Sequence, residues 1–269
     1  VVGEGWHHRF GQAHAEVNCI MDAERRNRII ESEDAFYHNC TLYINLEPCS
    51  HYGKTPPCAE LIIKKHISHV VVGMLDPNPL VAGKGVRMLQ QSGVDVQVGV
   101  LEAQCRFLNR RFVCLHEKNR PYVILKWAQT LDGYIDVQRS YDDDCMPLVI
   151  SNMQTKQMVH KMRAENMAIM VGTNTVLLDN PKLTTTRWSG RNPIRVTLDR
   201  HHVLDKTYHI FSDQAETIVY DDDTTFPHIL NDLALRKVHS ILVEGGTKLL
   251  NHIISTGLYD EVHVEVGNM

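Results

Sequence analysis

The stretch LEPCSHYGKTPPC, residues 46–58, decides the fold when it is joined to His14-Ala15-Glu16 upstream. Residues 41–46 (TLYINL) alternate polar and apolar side chains as a strand does and run straight into Pro48-Cys49. Pro56-Pro57 then precede Cys58 at the start of a helical pattern over 57–65, and prolines suit the first turn of a helix. A strand, a cysteine turn and a helix opened by a second cysteine form one half of an α/β unit. The residue types suit catalytic zinc, which takes three protein ligands and keeps a fourth position open. His14, Cys49 and Cys58 supply the three ligands. Glu16 supplies the proton shuttle that hydrolysis of an exocyclic amine requires.

Working outward, residues 13–26 predict a helix, 69–74 (HVVVGM) a buried strand, 85–92 a helix and 94–100 a strand. Asp76-Pro77-Asn78-Pro79 falls just past the carboxyl end of a strand, where α/β proteins place ligands, although the same four residues make a good turn. Residues 115–121 are polar and predict a linker. A second α/β series follows, with strands at 122–126, 168–172, 194–198, 240–243 and 261–266 and helices at 153–164 and 247–255. The acidic runs 142–144 and 221–223 read as exposed loops. The other cysteines, Cys19, Cys40, Cys105, Cys114 and Cys145, read as small core residues.

Composition narrows the function classes. With 269 residues, 43% hydrophobic and 22% charged, the chain reads as one large or two smaller globular domains. Its apolar runs are strand-sized, short of the ~20 residues of a membrane span. A net charge of −4 argues against broad nucleic-acid binding. Seven cysteines in a chain of this size point to a reducing, cytoplasmic setting. No basic leader opens the chain. Val1-Val2-Gly3 reads as the end of a strand and the last residues as another, so both ends are expected to be incomplete.

Zinc deaminases of nucleobases carry H-x-E and P-C-x-x-C with the glutamate as acid/base. Here eight residues separate the two cysteines rather than two. Two other readings of the residues compete: a nucleoside or tRNA deaminase fused to an unrelated domain, and a structural zinc site with His51 as fourth ligand. The second would leave Glu16 without a task.

The motifs HAE, LEPCSHYGKTPPC and DPNPLVAGKG (76–85), followed by KWAQTLDG (126–133), RAENMAIMVGTNTVLLDNPKLT (163–184) and LVEGG (242–246), resemble the bifunctional riboflavin-biosynthesis deaminase/reductase family along essentially the whole chain. The resemblance implies a cytidine-deaminase-like three-layer α/β/α domain over 1–116 and a dihydrofolate-reductase-like α/β domain over 120–269. It implies Zn2+ and NADPH as cofactors, a phosphorylated pyrimidine as substrate, and a homo-oligomer. It assigns His14, Cys49 and Cys58 to zinc, Glu16 to proton transfer, and His51, Lys54, Asp76 and Asn78 to deaminase substrate. In the second half it points to Lys126, Gln129, Val149, Thr175, Asp179, Leu183, Arg187 and Glu244, with Gly246, Thr247 and Lys248 at the cofactor phosphate. The cofactor rests on this resemblance, since no G-x-G-x-x-G is present.

Two departures stand out. Residues 147–151 read PLVIS where the family has a serine and a tryptophan. The family's helix and strand before VVGEG, with a substrate asparagine, have no counterpart here, so part of the deaminase pocket is expected to be missing. Elemental analysis of the purified chain is expected to find a single zinc ion per chain; a metal-free protein would sink the zinc reading.

Overall fold

In the computed structural model, residues 1–9, 11–27, 33–53, 56–79, 81–140, 146–221 and 224–268 are described. Lys54, Cys145 and the acidic residues 142–144 and 222–223 lie outside them. The chain divides into two compact units, Val1–Glu117 and Lys118–Met269.

The first unit runs α1 (Ala15–Asn27), α2 (Glu33–His38), β1 (Thr41–Ile44), α3 (Cys58–Lys64), β2 (His69–Val72), α4 (Lys84–Gln91), β3 (Asp95–Val98), α5 (Glu102–Leu108) and α6 (Arg110–Lys118). Its strands form a parallel sheet in the order β1-β2-β3, with Thr41 opposite His69 and His69 opposite Asp95. Alternate residues Leu42, Val70 and Val72 point into a core with Ile62 of α3 and Val86 and Leu89 of α4. On α1 the buried residues are Glu16, Ile20 and Ala23, a spacing of four and three that keeps all of them on one helix face. That periodicity carries the Glu16 carboxylate inward together with the core side chains.

The expected linker at 115–121 is corrected. Helix α6 continues to Lys118 because Val113, Cys114 and Leu115 bury its inner face. The non-helical connection is only Asn119–Pro121, with Asn119 in the left-handed region at φ 52°.

The second unit runs β4 (Tyr122–Gln129), α7 (Met153–Glu165), β5 (Ala168–Val171), α8 (Thr173–Asp179), β6 (Ile194–Leu198), a 3-10 turn (His209–Phe211), β7 (Thr217–Tyr220), α9 (Phe226–Leu235), β8 (Ser240–Glu244), α10 (Thr247–Thr256) and β9 (Glu261–Val266). Its six strands are ordered β7-β6-β5-β8-β4-β9 and every pair is parallel. Continuous apolar runs such as AIMV in β5 fit strands covered on both faces. Ala168, Met170, Ile241 and Val243 face one core with α9 and α10. Ile169, Val171 and Leu242 face the other with Val176 of α8. From β5 the chain winds outward through α8 to β6, and from β8 it winds the opposite way through α10 to β9. The gap between the carboxyl ends of β5 and β8 is therefore a topological switch point, the place where such sheets bind ligands. The sequence pattern did not mark β7, α8 or α9, of four, seven and ten residues.

Asp260 ties the start of this unit together. Its carboxylate accepts from Arg120 Nη2 at 2.8 Å, Lys118 Nζ at 2.8 Å and the Val123 N–H at 2.9 Å, while its own N–H donates to Val123 O. Burial works against the charge, but these donors outweigh it and hold the carboxyl down, to about 2. A carboxyl lowered on folding contributes stability that is present above its unfolded value of ~3.9 and lost as pH falls toward the folded one. Asp260→Asn is expected to lower the urea midpoint at pH 7. The gap to the unaltered chain is expected to close between about pH 4 and 2; a gap independent of pH would refute the assignment.

Candidate active sites

In the first unit the ligand atoms of His14, Cys49 and Cys58 lie within 4.8 Å of one another. His14 Nδ1 is 3.5 Å from Cys49 Sγ and 3.3 Å from Cys58 Sγ. His14 immediately precedes α1, Cys49 lies in the loop after β1, and Cys58 is the first residue of α3, so three segments distant in sequence converge. The Cys58 N–H donates to Cys49 Sγ at 3.2 Å and the Ala59 N–H to Cys49 O at 3.1 Å, fixing both the turn and its sulfur. The hydrogen bond from Cys58 holds the Cys49 thiol down, to about 5, and that same shared proton, with burial, pushes Cys58 up. Two sulfurs and an imidazole nitrogen at these separations fit a soft, tetrahedral metal ion, with the thiolate already favoured at one sulfur. Burial raises the carboxyl of Glu16 above the usual range despite its hydrogen bond with Cys58.

Around this centre the structure brings other residues into view. His7 stacks edge-on against the His14 ring, with centroids 5.3 Å apart. His51 is exposed, and the exposed Tyr52 hydroxyl donates to Glu60. Asp76 accepts from the Asn78 N–H at 2.8 Å, the turn chemistry that Asp-Pro-Asn-Pro favours, and both residues are half-buried.

The second unit holds a cavity of about 1010 Å³ at the switch point. Lys126, Thr175, Asp179 and Leu183 line it, as do Val149, Glu244, Gly246, Thr247 and Lys248. Gln129 and Arg187 stand outside that lining. Gln129 Oε1 accepts from Trp127 Nε1 at 2.8 Å, and an Arg187 guanidinium nitrogen sits 2.7 Å from Met153 Sδ. The Gly246 N–H donates to Thr175 Oγ1 at 3.2 Å, drawing the start of α10 onto α8. A Cβ on Gly245 would lie 3.4 Å from Gly172 N, so the two strand ends approach to van der Waals contact.

Arg139 and Arg163, to which the motifs assigned no role, also line this cavity. Arg163 of α7 pairs with Glu244, Nη2 to Oε2 at 2.7 Å and Nε to Oε1 at 3.2 Å. Burial alone would raise Glu244, yet the Arg163 charge and hydrogen bonds keep it below the usual range. Arg139 bridges Asp136 and Asp179, and Asp136 also accepts from the Leu148 N–H at 2.9 Å. That network holds Asp136, Arg139 and Leu148 together beside Asp179 of α8. Among the described residues, no helix is long and apolar enough to cross a membrane.

Comparison with known proteins follows the same division. Residues 1–74 match the cytidine and deoxycytidylate deaminase zinc-binding region, and residues 121–268 match the RibD C-terminal domain. A riboflavin biosynthesis protein RibD from Synechocystis is 38% identical over 250 residues, 93% of this chain and 64% of that protein. The Escherichia coli protein of the same name is 31% identical over 301 residues, 99% of this chain and 78% of that one. The Acinetobacter baumannii RibD structure superposes with a TM-score of 0.87 at 32% identity, over 100% of this chain and 77% of that one. A diaminohydroxyphosphoribosylaminopyrimidine deaminase/5-amino-6-(5-phosphoribosylamino)uracil reductase from Thermotoga maritima gives 0.80 at 38% identity, over 95% and 74%. The chain spans just under two thirds of the Synechocystis protein and about three quarters of the others. Matched in both halves and in the same order, this chain belongs to the RibD family of riboflavin-biosynthesis proteins, which join a zinc deaminase to an NADPH-dependent reductase.

Proposed function

We propose that the chain deaminates 2,5-diamino-6-ribosylamino-4(3H)-pyrimidinone 5′-phosphate and then reduces the ribosyl group of the product to ribityl, with residues 1–116 as deaminase and 120–269 as reductase. The observation that carries the reading is the cluster of His14 Nδ1 and the Cys49 and Cys58 sulfurs within 4.8 Å, beside a buried glutamate.

His14, Cys49 and Cys58 hold the metal. Zinc there supplies Lewis acidity, bringing a water's pKa toward ~7. Glu16 does the proton work: it takes a proton from the attacking water and passes it to the ring nitrogen and the departing amine. Its burial suits this, because desolvation raises the carboxyl above its ordinary range and makes it a better proton acceptor than an exposed glutamate. His51, Lys54, Asp76 and Asn78 are assigned to substrate contact.

In the second unit NADPH would supply hydride; the opened ribose presents an imine at C1, and hydride at that carbon with a proton at the nitrogen would give the ribitylamine. Gly246, Thr247 and Lys248 open α10, a ten-residue helix, and its N–H groups and dipole suit the cofactor phosphates. Lys126, Glu244 and Arg163 offer charged and hydrogen-bonding groups to the sugar phosphate from strand ends β4 and β8 and from α7. Val149, Thr175, Asp179 and Leu183 shape the remainder, and Gln129 and Arg187 act at the margin. The reading includes a cytoplasmic setting and a homo-oligomer. Half-exposed Val262, Val264 and Val266 along edge strand β9 support the latter. A net charge of −4 supports small-molecule rather than nucleic-acid partners.

Glu16→Gln is expected to retain zinc while deamination, followed by ammonia release, falls by about 100-fold or more. Oxidation of NADPH with the deaminated substrate supplied is expected to continue at the unaltered rate. Loss of both activities would overturn the two-site reading.

A further inference from the structure

Glu47 lies two residues before Cys49 and has no part in the chemistry above. Its side chain is buried, with the residue 5% exposed. Its carboxylate is satisfied by backbone N–H groups. Oε2 accepts from Asp76 at 3.1 Å and Gly83 at 2.8 Å, and Oε1 accepts from Gly85 at 2.8 Å and Val86 at 3.2 Å. An ionised carboxylate offers about four acceptor sites, so its capacity is used.

Two of those bonds cap the first turn of α4, whose N–H groups have no partner within the helix. The other two go to the loop between β2 and α4. The bond at Asp76 is passed on, because the Asp76 carboxylate holds the Asn78 N–H. The residues following Glu47 are clamped as well. A Cβ on Gly85 would stand 2.0 Å from Pro48 O, so α4 rests directly on that carbonyl. Cys49 is gripped from the far side by the Cys58 and Ala59 N–H groups. Residues 47–49 are thus held between the start of α3 and the 76–86 segment.

We propose that Glu47 is a positioning residue of the deaminase site, whose carboxylate sets the Cys49 turn and the Asp76–Asn78 loop in one fixed geometry. It touches neither the metal nor the substrate. The inference rests on the deaminase reading. A helix cap alone would not require the bonds to Asp76 and Gly83. Glutamine matches the volume but turns an NH2 toward two of the N–H donors, so one pair of bonds fails whichever way it lies.

The test uses the full chain. In the unaltered protein, amides of Asp76, Gly83, Gly85 and Val86 are expected to exchange with solvent as slowly as those of Val70 and Val72. Glu47→Gln is expected to weaken zinc binding by about 10- to 100-fold in chelator competition, to change the thiolate absorption of the cobalt-loaded protein, and to raise the pyrimidine KM about 10-fold. Leu89→Ala removes a fully buried side chain of α4 away from these bonds. It is expected to lower the melting temperature while leaving zinc affinity, the cobalt spectrum and KM unchanged. Fast exchange at the four amides, unaltered zinc affinity in Glu47→Gln, or an equal loss in Leu89→Ala would each overturn the proposal. An unaltered chain that takes up no zinc would instead refute the deaminase reading, and amide exchange would still decide the role of Glu47.

Discussion

Parallel strand pairing is the constraint from which both sites follow. Two parallel strands cannot be joined by a tight turn, so the chain must cross back before the next strand, most often through a helix. In each sheet this places the carboxyl ends of the strands and the openings of the helices along one edge. Cys49 follows β1 and Cys58 opens α3 in the first unit. Gly172 follows β5, Glu244 ends β8 and Thr247 opens α10 in the second. Residues far apart in sequence come together because each strand-to-helix connection leaves its sheet at that same carboxyl edge.

Three buried glutamates show how the fold sets different chemistry on one side chain. Glu16 has burial as its dominant influence, which outweighs the hydrogen bond from its backbone N–H and the one with the Cys58 thiol, so its carboxyl rises above the usual range. Glu244 is buried beside the Arg163 guanidinium, which keeps it charged and aimed at the cavity. Glu47 is buried against four backbone N–H groups and serves as a fixed joint. Charge removed from water must be compensated, and the compensating partner decides what the group can do.

The zinc ligands and Glu16 were legible because their spacing is local: H-x-E at the start of one helix and two cysteines bracketing one loop. The parallel α/β character was legible from apolar runs of strand length alternating with amphipathic helices. The end of the first unit was not. Polar residues near 115–121 suggested a linker, yet Val113, Cys114 and Leu115 hold α6 together through Lys118 by burial of one face. The ion pairs of Arg139 and Arg163 were equally invisible, since an arginine in a loop or on a helix reads as a solvated charge until its carboxylate is seen beside it. Gln129 and Arg187, which the resemblance points to, lie outside the cavity lining, Gln129 bonded to Trp127 and Arg187 beside Met153.

The amino-acid sequence alone determined the candidate metal-binding residue set, the glutamate proposed as acid/base, the order of two α/β units and the family resemblance. Each depends on residue type and short spacing. Tertiary structure decided which charges are paired, that Arg139 meets Asp179 of α8, and that Glu47 joins the Cys49 turn to the loop beyond β2. Those outcomes depend on distances between segments tens of residues apart, and such distances exist only once the sheets have brought the segments together.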